Sequence, residues 1–147
     1  MDDLLKLKNQ VCFPVYALSR EIITRYRPFL DALGITYPQY LVLMVLWEEK
    51  TQTVNELGGK LRLDSGTLTP LLKRLESKGF ILRKRKSTDE RVVEISLTNQ
   101  GDQLRLKAAD VPLKLMESMP VTKEELIRLR EIVTEILDRM CSKNKNS

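Results

Sequence analysis

The sequence predicts a mainly α protein with a single small β-hairpin. Three observations carry that prediction. Apolar residues recur at helical spacing along most of the 147 residues. Tetrads that begin with threonine and end with Gln or Glu, at Thr36–Gln39, Thr53–Glu56 and Thr122–Glu125, have the form of helix-starting capping boxes. Only the stretch from Phe80 to Leu97 pairs two short β-branched and aromatic runs across a polar turn.

Residues 4 to 33 read as one long helix or two joined pieces, with Leu4, Leu7, Val11, Val15, Leu18, Ile22 and Leu30 as apolar positions. Pro14 interrupts the pattern and Gly34 closes it. A helix that begins at Pro14 leaves Cys12 just outside its N-terminus, where the helix dipole favours an anion. Thr36-Tyr37-Pro38-Gln39 opens the next helix, whose Tyr40–Trp47 run is apolar on every face and is expected to lie at the centre of the core. Thr53 opens a short helix to Leu61 with Val54, Leu57 and Leu61 on one side. A turn at Arg62-Leu63 leads to Asp64, a capping residue for the following helix. There Leu68, Leu71, Leu72 and Leu75 form one stripe, and Gly79 takes the terminal position. Pro70 removes the N–H that would bond the carbonyl of Gly66, so a bend is expected.

Phe80–Arg85 and Val92–Leu97 are the strands of the hairpin, joined by the turn Lys86–Arg91. Thr98 can cap a helix through Leu104 and Leu106 toward Pro112, where the pattern breaks. Thr122 opens the last helix, with Leu126, Leu129, Val133, Ile136, Leu137 and Met140 at helical spacing, and the tail from Ser142 is polar and expected to fray. A short capped helix, a tight turn, a second capped helix and a hairpin together make a winged helix-turn-helix.

That motif points to double-stranded DNA. Ser65, Thr67 and Thr69 place small hydroxyls near a helix N-terminus, where they can approach base edges, and Lys73 and Arg74 follow where they can reach phosphates. From Arg83 to Arg91 five basic residues (Arg83, Lys84, Arg85, Lys86, Arg91) face Asp89 and Glu90, a net charge of +3. An isolated charge run is usually only a solvated surface; directly behind a reading helix it favours phosphate contact.

Composition narrows the remainder. A chain of this length with 42% hydrophobic residues can bury one core, so residues 1–147 are expected to form a single domain. Within it, 36–97 is the winged motif, and 4–35 and 98–141 carry more apolar surface than that motif needs, which suits pairing with a second copy. The net charge of +5 favours an anionic partner without choosing one. There is no histidine, and the two cysteines, Cys12 and Cys141, are far apart, which excludes Ser/His/Asp and Cys/His catalysis and leaves no zinc-ligand spacing. No metal or cofactor is implied, and an enzyme is not expected. No signal peptide or membrane span fits, so the cytoplasm is the expected compartment, with reduced thiols.

The run Asp64-Ser-Gly-Thr-Leu-Thr-Pro-Leu-Leu-Lys-Arg74 together with Asp89-Glu-Arg91 resembles the MarR family of winged-helix repressors. Cys12-Phe13, Tyr16, Ser19-Arg20-Glu21, Tyr26 and Thr36-Tyr37-Pro38-Gln39-Tyr40 resemble more narrowly its organic-hydroperoxide-resistance, or OhrR, branch. The resemblance implies a homodimer on a pseudo-palindromic operator, with recognition helices in major grooves and wings in flanking minor grooves. It implies that Arg91 enters the minor groove with Asp89 helping to hold it; Arg85 and Lys86, from the basic run, are counted with the DNA-binding residues. It further implies that Cys12 is the reactive thiol, that an organic hydroperoxide is its oxidant, and that Tyr16, Tyr26 and Tyr37 surround it. Tyr26 lies fourteen residues beyond Cys12, roughly 21 Å along a straight helix, so it cannot reach its own chain's Cys12 without a fold-back, whereas an antiparallel partner helix would bring it near. A small cellular thiol or Cys141 could resolve the oxidised sulfur, the small thiol being preferred because Cys141 sits near a chain end.

Three other readings fit the residues less well. One is a regulator of the same family controlled by a small aromatic ligand, with Cys12 structural. Another is a thiol peroxidase, which would leave the basic wing idle. The third is a sequence-independent architectural DNA binder, marked by steep salt dependence without a specificity ratio.

Overall fold

A computed structural model describes residues 2–143 of the chain. The polar tail beyond residue 143 lies outside the described residues. The order is α1 (Cys12–Asp31), α2 (Tyr37–Glu49), β1 (Gln52–Thr53), α3 (Val54–Leu61), α4 (Ser65–Ser77), β2 (Ile81–Arg85), β3 (Val93–Leu97), α5 (Asn99–Ala108), α6 (Val111–Ser118) and α7 (Lys123–Lys143). The chain divides between Val111 and Pro112 into two compact units.

Before α1 the chain makes two short 3₁₀ turns, Asp2–Leu5 and Leu7–Asn9, rather than the long helix expected from residue 4. Regular helix begins at Cys12, not at Pro14. Pro14 is the third helical residue, where its missing N–H would have had no intrahelical partner, so it is accommodated without loss. The helix ends as the glycine signal indicates: Gly34 takes φ +70°, and the N–H of Ile35 returns to the carbonyl of Leu30 at 3.1 Å.

The α2 capping box is present in both directions: Thr36 N–H donates to Gln39 Oε1 at 3.0 Å, and Gln39 N–H donates to Thr36 Oγ at 3.5 Å. As expected of a helix apolar on all sides, α2 buries Tyr40, Val42, Leu43, Leu46 and Trp47. Leu57 of α3, Leu68, Leu72 and Leu75 of α4, Ile81 and Ile95 of the hairpin and Leu104 of α5 complete the same core. Each such leucine contributes about 1.5–3 kcal/mol by leaving water.

The sheet has three antiparallel strands in the order β1-β3-β2, one more than the hairpin expected. Gln52 pairs with Ile95 and Arg83 with Ile95 from the other side. Thr98 caps α5 and also donates its hydroxyl to the carbonyl of Gly79 at 2.6 Å, tying the start of α5 to the end of α4. The indole N–H of Trp47 donates to the carbonyl of Gly101 at 2.9 Å inside the core.

Pro112 stands second in α6 and starts that helix instead of breaking the preceding one, which ends at Ala108. In the second unit, Thr122 and Glu125 form the third capping box ahead of α7, with backbone-to-side-chain bonds of 2.8 and 3.1 Å. Along α7, Ile132, Val133, Ile136, Leu137 and Met140 are exposed. Among the described residues no helix is long and apolar enough to cross a membrane.

Candidate functional site

The reading helix is held by its own turn. Arg62 adopts a left-handed conformation, φ 54°, at the end of α3, and the N–H of Leu63 returns to the carbonyl of Gly58 at 3.0 Å. A side chain at Gly58 would place its Cβ 2.8 Å from the Leu63 carbonyl oxygen, so only glycine allows the turn this close. Asp64 Oδ1 then accepts the N–H of Thr67 at 2.7 Å, which starts α4 and holds the Asp64 carboxyl below its usual range.

With the leucine stripe inward, the opposite face of α4 is turned to solvent. Ser65, Thr67, Lys73 and Arg74 are exposed and Thr69 is half-buried, so the five helix residues singled out in the sequence share the accessible side. Pro70 lies within the helix, which continues to Ser77. Ser65 and Thr69 line a recess of about 200 Å³ together with Thr53 and Asn55 of the preceding helix start and Arg91 of the wing. The structure thus joins the start of the reading helix to the wing arginine.

At the wing tip, Arg91 donates from Nε to Asp89 Oδ1 at 3.2 Å and from its backbone N–H to the same oxygen at 3.1 Å. These bonds, the side-chain one first, lower the Asp89 carboxyl from its ordinary value. The Arg91 side chain is nevertheless 91% exposed, held at its root and open along its length. Arg85 donates to the carbonyl of Glu90 at 2.8 Å, and Lys86 pairs with Glu94 at 3.5 Å. Arg83, counted above with the basic run, is engaged by Glu76 of α4. The sequence hint was available: Ile81, Arg83 and Arg85 share one strand face, and Ile81 belongs to the core.

The sensor candidates separate into two groups within the chain. Cys12 is exposed at the first turn of α1. Tyr16, one turn on and also exposed, lies beneath the Arg20 guanidinium at 5.5 Å. Tyr26 packs instead on Tyr37, ring centroids 4.8 Å apart, and both meet Tyr40, at 6.0 and 6.5 Å. Tyr40, expected in the core and not counted with the sensor tyrosines, completes this cluster and rests on Trp47. Burial, with the neighbouring Tyr37 and Tyr40 phenols, pushes the Tyr26 hydroxyl up to about 12. Tyr37 and Tyr40 are raised as well, chiefly by burial. Tyr26, with its α2 partners Tyr37 and Tyr40, therefore lies on a different stretch of α1 from Cys12 and Tyr16.

Among the described residues no group of His, Cys, Asp and Glu could hold a metal ion.

Comparison with known proteins agrees with this architecture. A family model described as transcriptional regulator SarA/Rot matches residues 24–107. The organic hydroperoxide resistance transcriptional regulator of Bacillus subtilis is 49% identical over 142 residues, covering 97% of each chain. AbfR of Staphylococcus epidermidis has been solved in several states. Reduced AbfR bound to DNA superposes with a TM-score of 0.82 at 37% identity, covering 95% of this chain and 96% of that one. Overoxidised AbfR bound to DNA gives 0.73 at 40% identity, covering 92% and 98%. The disulfide-formed AbfR gives 0.64 at 39% identity, covering 92% and 96%. These relatives are named regulators or seen on DNA, not enzymes. With the winged helix-turn-helix, its wing arginine and this extent of identity together, the chain belongs to the MarR family of DNA-binding transcriptional regulators, in its organic-hydroperoxide-resistance branch.

Proposed function

We propose that the chain acts as a homodimeric repressor whose operator binding is switched off when an organic hydroperoxide oxidises Cys12. The observation that carries this reading is the setting of Cys12. The thiol lies exposed on a helix that also exposes the apolar side chains of Phe13, Val15, Tyr16, Leu18 and Ile23, with Val11 exposed just before it. Such a face favours burial against a second copy, as does the apolar side of α7. In a dimer with antiparallel α1 helices, the partner's tyrosine cluster would come beside Cys12.

The chemistry balances with two named reactants. The Cys12 sulfur attacks the terminal oxygen of the hydroperoxide, an S–O bond forms, the O–O bond breaks, and the peroxide leaves as its alcohol. A small cellular thiol then displaces the sulfenic oxygen as water and leaves a mixed disulfide. AbfR has been solved on DNA in an overoxidised form, which directs the reading toward the bulkier disulfide, not added oxygen alone, as the step that releases operator. The disulfide would disturb the interface between copies and with it the spacing of the two reading helices. A hundredfold loss of affinity requires only about 2.7 kcal/mol of difference between the two states.

On DNA, Ser65, Thr67 and Thr69 would face bases, Lys73, Arg74, Arg85 and Lys86 would meet phosphates, and Arg91, steadied by Asp89, would enter the minor groove. The test is operator affinity before and after a stoichiometric organic hydroperoxide, with and without a small thiol, for wild type and Cys12→Ser. Release confined to oxidised wild type supports the switch. An unchanged response in Cys12→Ser would transfer control to a ligand elsewhere.

A further inference from the structure

We infer that the Glu76–Arg83 pair is a positioning device that fixes the wing's angle to the reading helix, so that Arg91 depends on it to reach DNA. The inference rests on the proposed placement of Arg91 in the groove.

The geometry uses both oxygens of one carboxylate. Glu76 Oε1 accepts from Arg83 Nε and from Arg83 Nη2, each at 3.2 Å, and Oε2 accepts the backbone N–H of Arg83 at 3.2 Å. The backbone bond follows from the sheet order. β2 is an edge strand paired only with β3, so alternate N–H groups of β2 point away from the sheet. Arg83 presents one of these to α4, and Glu76 occupies it. A side-chain pair alone could be replaced by water with little change in strand direction; a carboxylate bonded to guanidinium and backbone at once holds the strand itself.

Position along the wing gives the pair its leverage. Arg83 lies opposite Ile95, which is fully buried, and beyond that level the pairs Lys84–Glu94 and Arg85–Val93 and a bond from the Lys86 N–H to the Val92 carbonyl at 2.8 Å precede the turn. The tip at Thr88 is five residues from Arg83, roughly 16 Å at about 3.3 Å per residue. A rotation of about 10° at the root would shift the tip by about 3 Å, the full length of a hydrogen bond. At the other end, Glu76 follows Thr69 by seven residues, two turns along the same helix face. The pair thus relates the wing directly to the residues that face DNA. Both side chains are partly exposed, 27% for Arg83 and 37% for Glu76, so the pair is not needed to fill the core.

A thermodynamic cycle tests this. Affinity for an operator duplex selected from a random pool by the wild-type protein is measured for wild type, Glu76→Gln, Arg91→Ala and the double variant, with melting temperatures alongside. Arg91→Ala alone is expected to weaken binding at least about tenfold, and Glu76→Gln by a similar factor with folding retained. In the Glu76→Gln background the further loss from Arg91→Ala should shrink to under about threefold, because coupled residues are not additive. Arg83→Gln, which leaves the reading helix unaltered, should reproduce the same cycle and stands in if Glu76→Gln folds poorly. Equal losses from Arg91→Ala in both backgrounds would overturn the tether. No loss from Arg91→Ala in the wild-type background would instead remove Arg91 from the interface, and the inference with it.

Discussion

Two glycines receive the same substitution with opposite expected signs. At Gly101, in the first turn of α5, a Cβ would lie 2.0 Å from the carbonyl oxygen and 2.9 Å from the carbonyl carbon of Phe80, and 3.2 Å from Leu97 Cδ2. Ordinary contact requires more than 3 Å, so Gly101→Ala must move backbone against backbone by about 1 Å. The region cannot yield freely. Gly101 N–H donates to the Thr98 hydroxyl at 3.0 Å, its carbonyl accepts the Trp47 indole, and the Phe80 carbonyl accepts the N–H of Thr98. A displacement there weakens several buried bonds together, and a loss of about 3 kcal/mol is expected. For a unit of this size that lowers the melting temperature by about 10 °C or more. Gly59 lies within α3, has an ordinary helical φ, and a Cβ there meets nothing within 4 Å. Gly59→Ala should therefore stabilise by about 0.5–1 kcal/mol through helix propensity alone. Urea and thermal unfolding at matched protein concentration measure both. A Gly101→Ala protein as stable as wild type would refute the close approach of α5 to the root of the wing.

Further outcomes follow from the titrating groups and the wing. Tyr26 is raised from 10.0 to about 12, so the stability it contributes is complete below pH 10 and is lost as the pH rises toward 12; Tyr26→Phe should unfold less steeply in alkali, read by circular dichroism. Asp64 is lowered from 3.8, so its contribution is complete above that value and is lost as the pH falls through its lowered one; Asp64→Asn should flatten the acid limb of the stability curve. Arg91→Ala, at an exposed position, should leave the melting temperature unchanged while weakening operator binding at least about tenfold, measured by fluorescence anisotropy.

Helix starts and stops were legible because their signals are local. Thr36, Thr53, Asp64, Thr98 and Thr122 each bond a backbone N–H three residues on, and Gly34 and Gly79 each take positive φ. The leucine stripe of α4 followed from its period. Strand β1 was not legible, since Gln52-Thr53 is a strand only because β3 lies beside it. Pro14 and Pro112 misled for one reason: each sits in a first helical turn, where proline starts a helix as readily as it ends one. In the site, the reading helix and wing tip were visible as residue types, while the partnering of Arg83 by Glu76 required the strand to lie against α4. The tyrosines were visible by type as well. Their separation into the Tyr26–Tyr37–Tyr40 cluster and the exposed Tyr16 depends on tertiary packing that spacing alone does not give.

The central claim is that the oxidation state of Cys12 sets operator occupancy. It is tested most directly by titrating the DNA-bound protein with an organic hydroperoxide in the presence of a small thiol, measuring released operator and modified Cys12 by intact mass in the same samples. The account predicts that release follows the fraction of Cys12 carried as mixed disulfide and reverses on reduction, with Cys12→Ser remaining bound throughout. Full modification of Cys12 with operator still bound, or release from Cys12→Ser, would contradict it.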